Sequence, residues 1–391
     1  MRPGLVSMFR LTSHPSRFWP SSTAIMGSVS VHQDAVLAER DGIIENTHLV
    51  HASVVDSPGK VLFTLGNPDR LTLCRSAIKP AQSLAVLETG AFDRFGFDMA
   101  DLALMSASHN SEEKHLSRAR AMLEKVQAKE SDLRCGGHPS ISPTVNKDWI
   151  RKGIEPSPVC NNCSGKHAGM LGGARALDAD LSTYHHIDHP LQQRVRRVVE
   201  DLSELPESEV KWAIDGCNLP APALSLTGMA RLFASFAQAA DLAERGDAKI
   251  TDRELLQAKI FTAMTQHADM VGGEGRFCTT FMQAFQGLAF GKAGADGFYG
   301  VGVRESPQTR SLGAQGCLGI AVKIEDGNLE ILYTAIAEIL SQLEIGSPEM
   351  REKLSGFHDD RRFNTSGVVV GKLTFDFSLT REQVGGEADA E

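Results

Sequence analysis

The chain has 391 residues, 42% hydrophobic and 23% charged, with a net charge of −9, an ordinary composition for a globular protein with a large buried core. The acidic balance argues against nucleic acid or an anionic membrane as the main partner. No apolar run approaches the roughly 18 to 20 residues that cross a bilayer. The seven cysteines, an odd number in a long chain, do not form a disulfide framework and point to a reducing compartment, the cytoplasm.

In chain order, residues 1–30 contain arginine and serine but no acidic residue, the composition of a mitochondrial transit peptide. Pro3, Pro15 and Pro20 would interrupt a targeting helix. The reading adopted is therefore an unstructured extension, with organelle targeting as the alternative. Residues 48–66 read as two β-rich runs around a Ser-Pro-Gly turn, a hairpin. From about 76 to 292 the apolar residues recur mostly at helical spacing, as in "SEEKHLSRARAMLEKVQA" and "LSLTGMARLFASFAQAADLA". Strand signals return in "GFYGVGV" (297–303). Residues 317–336 follow as two runs joined by Asp326-Gly327, a hairpin signal, and "GVVVGKLTFDF" (367–377) closes the series. The acidic stretch 378–391 reads as a disordered tail. The predicted class is α+β: an antiparallel sheet built from about 31–75 and 293–377, flanked by helices, with a helical region inserted at about 76–292.

Three groups of residues could carry chemistry. Ser76-Ala-Ile-Lys79 lies where an extended run gives way to a helical pattern, so the Lys79 amine can share a face with the Ser76 hydroxyl. A helix start and burial both favour the neutral amine. A neutral lysine is a general base able to activate a serine nucleophile. S-x-x-K is a short pattern that also arises by chance. Ser106-Ala-Ser108 and Lys292-Ala-Gly294 follow it, the order of motifs in penicillin-binding serine hydrolases. Their plain readings are caps and a solvated turn lysine.

The second group is Cys163, Lys166 and Cys217. Two thiolates make half of a soft-metal site, which zinc would complete with further ligands. A zinc knuckle, a redox C-x-x-C formed by Cys160 and Cys163, and plain buried cysteines are the competing readings. The third group is charged. Arg75 and Arg276 could grip a carboxylate, and Asp215 could pair with an ammonium. The histidines 185, 186 and 189 read as loop and helix-start residues. No phosphate-binding glycine loop of the Walker type occurs.

Six stretches together resemble the rhizobial-type, class 3 L-asparaginases: residues 40–56, "CRSAIKPAQ" (74–82), "MSASHNSEEKH" (105–115), "NNCSGKHAGM" (161–170), "DGCNLPAPALSL" (215–226) and 275–297. The resemblance runs from about 35 to 340. It implies a fold related to serine β-lactamases and glutaminases, and a homodimer acting on L-asparagine. It further implies Ser76 with Lys79 as nucleophile and base, Ser108 with Lys292 as a second pair, and zinc on Cys163, Lys166 and Cys217. Arg75, His167, Asp215 and Cys278 fall near the substrate in that family, and Cys160 is left as a bystander. The rival readings are a glutaminase or other Ser-Lys amidohydrolase of the same fold, and a non-catalytic zinc-binding protein.

Overall fold

The computed structural model describes residues 34–382. The readings of the first thirty residues and of the chain beyond 382 lie outside that range. Twelve strands are described: β1 (Ala35–Arg40), β2 (Ile43–Asp56), β3 (Val61–Leu65), β4 (Thr72–Leu73), β5 (Lys211–Ile214), β6 (Pro220–Leu224), β7 (Ala289–Gly294), β8 (Phe298–Val303), β9 (Leu318–Ile324), β10 (Arg361–Phe363), β11 (Val369–Asp376) and β12 (Thr380–Arg381). The main sheet runs β10-β11-β1-β2-β9-β8-β7, with β3 on β2 and β12 on β3. All its pairings are antiparallel. The long β2 first pairs with β1 and then, past Leu49, with β9 and β3. The protein is thus α+β, its sheet assembled from the two ends of the chain as the sequence predicts.

The core follows from the strands' composition. Every residue of β7, β8 and β9 is buried, because helices cover both faces, so these strands read as near-continuous apolar runs rather than alternating ones. The helix Leu226–Arg245 lies across β2, β8 and β9. Gly319 of β9 permits that approach, since a side-chain carbon there would collide with the Ala230 carbonyl. Phe233 of this helix stacks on Phe290 of β7 with ring centroids 5.2 Å apart.

Two expectations are corrected. Residues 317–336 do not form a hairpin: β9 ends at Ile324, and the second run is the helix Leu329–Gln342. Of the Asp326-Gly327 pair only Gly327 takes positive φ, 83°, whereas the tight hairpin turn needs it at both positions. Asn328 instead caps a helix, its side chain accepting the N–H groups of Glu330 and Ile331 at 3.0 and 3.1 Å. The tail boundary at 378 also moves, because Thr380 and Arg381 pair with Thr64 and Phe63 of β3. Among the described residues no helix is long and apolar enough to cross a membrane.

A small second sheet, β4-β6-β5, stands beside the helical region. It matters because β4 leads directly into Ser76 and the β5–β6 turn carries Cys217.

Candidate functional site

Four segments converge. The first follows β4. Arg75 takes left-handed φ, 50°, which turns the chain into a 3-10 turn, Arg75–Ile78, continuous with the helix Lys79–Leu87. Pro80 sits in the first turn of that helix, where a missing N–H costs nothing. Ser76 is half-buried, while Lys79 is fully buried.

The second segment is the loop after the helix Met99–Met105, whose start is fixed by a capping box between Asp98 and Asp101. Backbone N–H groups of Ser108 and Asn110 donate to the Val271 and Gly272 carbonyls at 2.9 and 2.8 Å, and that of His109 donates to Asn162 at 3.2 Å. The Ser106 hydroxyl pairs with Ser83 at 2.9 Å, away from the cluster.

The third segment is the turn before the helix Ser164–Ala176. Asn161 is buried and organises it: its Oδ1 accepts from Cys163 N at 2.9 Å, and its Nδ2 donates to the Cys135 and Gly136 carbonyls at 2.9 and 3.0 Å. Gly165 lets this helix close on the preceding segment, since a Cβ there would stand 2.6 Å from the Leu104 carbonyl oxygen. The fourth segment is the β5–β6 turn, where Asn218 takes left-handed φ, 68°, and Asp215 N–H donates to the Leu219 carbonyl at 2.9 Å.

These segments, with β7, bring Ser108, Lys79, Lys292 and Cys163 together. Lys79 Nζ donates to Ser108 Oγ at 3.0 Å, to Cys163 Sγ at 3.1 Å and to the Ala107 carbonyl. Lys292, which lies within β7 itself, places its Nζ 2.9 Å from the same Ser108 Oγ and 2.8 Å from the Ala293 carbonyl. Two buried lysines thus share one hydroxyl. Burial pushes the Lys292 amine down to about 7, and the neighbouring Lys79 and Arg276 charges act in the same direction. Burial lowers Lys79 likewise, against the pull of Cys163. The spacing of Ser76 and Lys79 predicts a direct dyad. In the structure Lys79 is committed to Ser108, and the Ser76 hydroxyl has no side-chain partner among the described residues.

The sulfur group is assembled as well. Lys166 Nζ lies 2.9 Å from Cys217 Sγ. Hydrogen bonding from Cys163 holds the Cys217 thiol well below its ordinary range, against burial and helped by Lys166. Cys163 is correspondingly pushed up to about 12 by that same hydrogen bond and by burial. Burial opposes the Lys166 charge, but the two sulfurs raise its pKa. The two sulfurs therefore favour sharing a single proton, beside the Lys166 amine. Two adjacent sulfurs and an amine, all buried, fit a soft divalent ion, with loading expected to release protons from Cys163 and Lys166. Among the described residues no three His, Cys, Asp or Glu side chains form a metal cage, so a cage here draws on the lysine. All seven cysteines are free. Cys160 stands apart, its carbonyl accepting from Ser111 at 2.8 Å.

A cavity of about 210 Å³ opens onto this region, its wall including Arg75, Ser76, His138, Cys163, Asp215 and Cys217. Ser108, Lys79 and Lys292 do not line it; Cys163 is the link, lining the cavity and touching Lys79. Asp215 accepts from Arg75 Nε at 2.6 Å and from its neighbour Gly216 N at 2.8 Å. Burial alone would raise the Asp215 carboxyl, yet Lys166 and Arg75 hold it below its usual range.

His167 and Cys278 stand behind the walls. His167 Nδ1 pairs with the Tyr184 hydroxyl at 2.6 Å in the core, and burial keeps the ring neutral. Cys278 Sγ accepts from Ala293 N at 3.3 Å, beside Lys292. Arg276 reaches Asn110 Oδ1 at 3.2 Å rather than the cavity. The reading of His189 as a helix-start residue holds, since it accepts from Leu191 N at 3.1 Å at a helix N-terminus.

Sequence reasoning missed His138, Asn161, Asn162 and Asp296. His138 Nδ1–H donates to the Pro139 carbonyl at 2.6 Å, leaving Nε2 to accept from Asn162 N at 3.3 Å. Its stretch, "GGHPS", carries no motif. The asparagines sit inside a motif read for its sulfur and amine. Asp296 occupies a turn whose "DG" signals only chain reversal.

A profile of the family described as L-asparaginase II matches residues 36–375, and a search of curated proteins returns no match.

Proposed function

The chain belongs to the L-asparaginase II family and is an L-asparaginase, and we propose that it releases ammonia from the side-chain amide of L-asparagine through an acyl-enzyme on Ser76. The observation that carries this reading is the small cavity on which Ser76 opens, with two buried, neutral-leaning lysines immediately behind it.

Arg75 takes the substrate α-carboxylate, and the buried Asp215 takes its ammonium. Ser76 Oγ attacks the amide carbon, and Lys79 leaves Ser108 to accept the serine proton. Lys79 passes that proton through the Ser108 hydroxyl to neutral Lys292, which hands it on to departing ammonia. Backbone N–H groups at the helix start face the developing oxyanion, a contribution on the order of 3 kcal/mol per donor. Water then frees L-aspartate by the reverse proton path. Cys163, Lys166 and Cys217 would hold zinc, which when bound would supply an electrophilic centre at the cavity wall that orients the substrate.

The test is ammonia release by purified protein from L-asparagine and L-glutamine, with and without added zinc, for wild type, Ser76→Ala and Cys163→Ala. Turnover of asparagine well above glutamine, lost in Ser76→Ala, is expected. Zinc bound with no amidase activity in any metal state would favour the non-catalytic reading. The homodimer implied by the family is part of the same proposal, and sedimentation of the purified chain checks it.

A further inference from the structure

The Arg75 guanidinium has two carboxylate partners of different character. Nε binds Asp215, whose side chain is 9% exposed. Nη1 binds Asp296, whose side chain is 72% exposed. Nη2 has no hydrogen-bond partner among the described residues and faces Gly216, where an added Cβ would stand 3.9 Å from it. Gly216 and Ala295 line the cavity, and the exposed Asp296 follows Ala295 and reaches Arg75 from outside it. A carboxylate gripped by the guanidinium end needs both Nη1 and Nη2, and Asp296 occupies the first.

We propose that Asp296 is an internal competitor for the substrate α-carboxylate: it holds the outer arm of Arg75 until asparagine displaces it, and so sets the KM for asparagine. This rests on the reading above in which Arg75 anchors the substrate carboxylate. Asp215 already fixes the guanidinium from within, so Asp296 is not needed as a prop.

The turn around Asp296 is built for a side-chain swing on a fixed backbone. Asp296 and Gly297 take left-handed φ, 56° and 72°, in the β7–β8 connection. Lys323 Nζ donates to the Asp296 carbonyl at 2.8 Å, and Ile324 N–H donates to the Gly297 carbonyl at 2.8 Å. Gly294 pairs with Phe298 across the turn. Only the carboxylate is free to leave. An exposed ion pair contributes little and is screened by salt, whereas a substrate carboxylate gains two donors in the less exposed cavity.

The test uses Asp296→Asn and Asp296→Gly, both of which tolerate the left-handed turn. Initial rates are measured with L-asparagine and with L-asparaginamide, which lacks the α-carboxylate, and inhibition is measured with L-aspartate. In both variants KM for asparagine and Ki for aspartate are expected to fall roughly two- to five-fold, with kcat unchanged and KM for the amide unmoved. Constants for asparagine that stay put or rise in both variants overturn the proposal. Arg75→Lys separates the two levels of inference. If it leaves KM for asparagine unchanged, the anchor itself is wrong and both readings fall. If it raises that KM while the Asp296 variants lower nothing, only the competitor role falls.

Discussion

The interior of the site and its mouth solve opposite problems. Inside, Lys79 and Lys292 are 0% and 1% exposed, with carbonyls, one hydroxyl and the Cys163 thiol as partners, so burial disfavours their charge and leaves amines able to move protons. At the mouth, Ser76 is half-buried and Arg75 keeps its charge between two carboxylates. The same residue class, a basic side chain beside a serine, therefore does base chemistry in one place and substrate recognition in the other. Desolvation, rather than sequence spacing, makes the difference. Cys163 joins the two regions by touching Lys79 and lining the cavity.

The largest expected effect breaks the division at its boundary. Ser76→Ala should cut kcat on the order of 10⁴-fold or more, measured by ammonia release, whereas near-normal turnover in that variant would move the nucleophile elsewhere. Next, Lys292 should titrate as the base: kcat/KM rises as pH passes upward through about 7 and the amine loses its proton. Lys292→Arg keeps the charge but cannot act as a base, so it should remove that limb and cost about 10²- to 10⁴-fold. A smaller effect sharpens the role of the connecting turn. Asn161→Ala releases the backbone that aims Cys163 and should weaken zinc binding roughly 10- to 100-fold, read by competition with a chelating dye. The smallest is a control outside both regions. Asn328→Ala removes the cap of the helix Leu329–Gln342 and should lower stability by about 1 kcal/mol in urea titration, with kcat unchanged.

How far the sequence alone reaches depends on the range of the determining interaction. The end-to-end sheet and the long helices were legible because hydrophobic period records which face is buried. The 317–336 hairpin was misread because turn chemistry and helix capping compete for Asp326, Gly327 and Asn328, and the apolar run beyond suits either outcome. In the site, the short motifs marked Ser76, Lys79, Ser108, Lys292, Cys163, Lys166 and Cys217; the fold brings the last six into two touching groups and leaves Ser76 on the wall of the adjoining cavity. The partner of Lys79 was not legible: i,i+3 spacing placed it on Ser76, but its side chain extends inward to Ser108, 29 residues away. His138 and Asp296 were invisible for the same reason, since each acts through contacts made across the fold.

The central claim, an acyl-enzyme on Ser76, is tested most directly by acid-quenching the protein during turnover of L-asparagine and mapping the ester by peptide mass spectrometry. The account predicts a β-aspartyl ester on the peptide containing Ser76, absent in Ser76→Ala. An ester on Ser108 instead, or none while ammonia is being released at full rate, would contradict it.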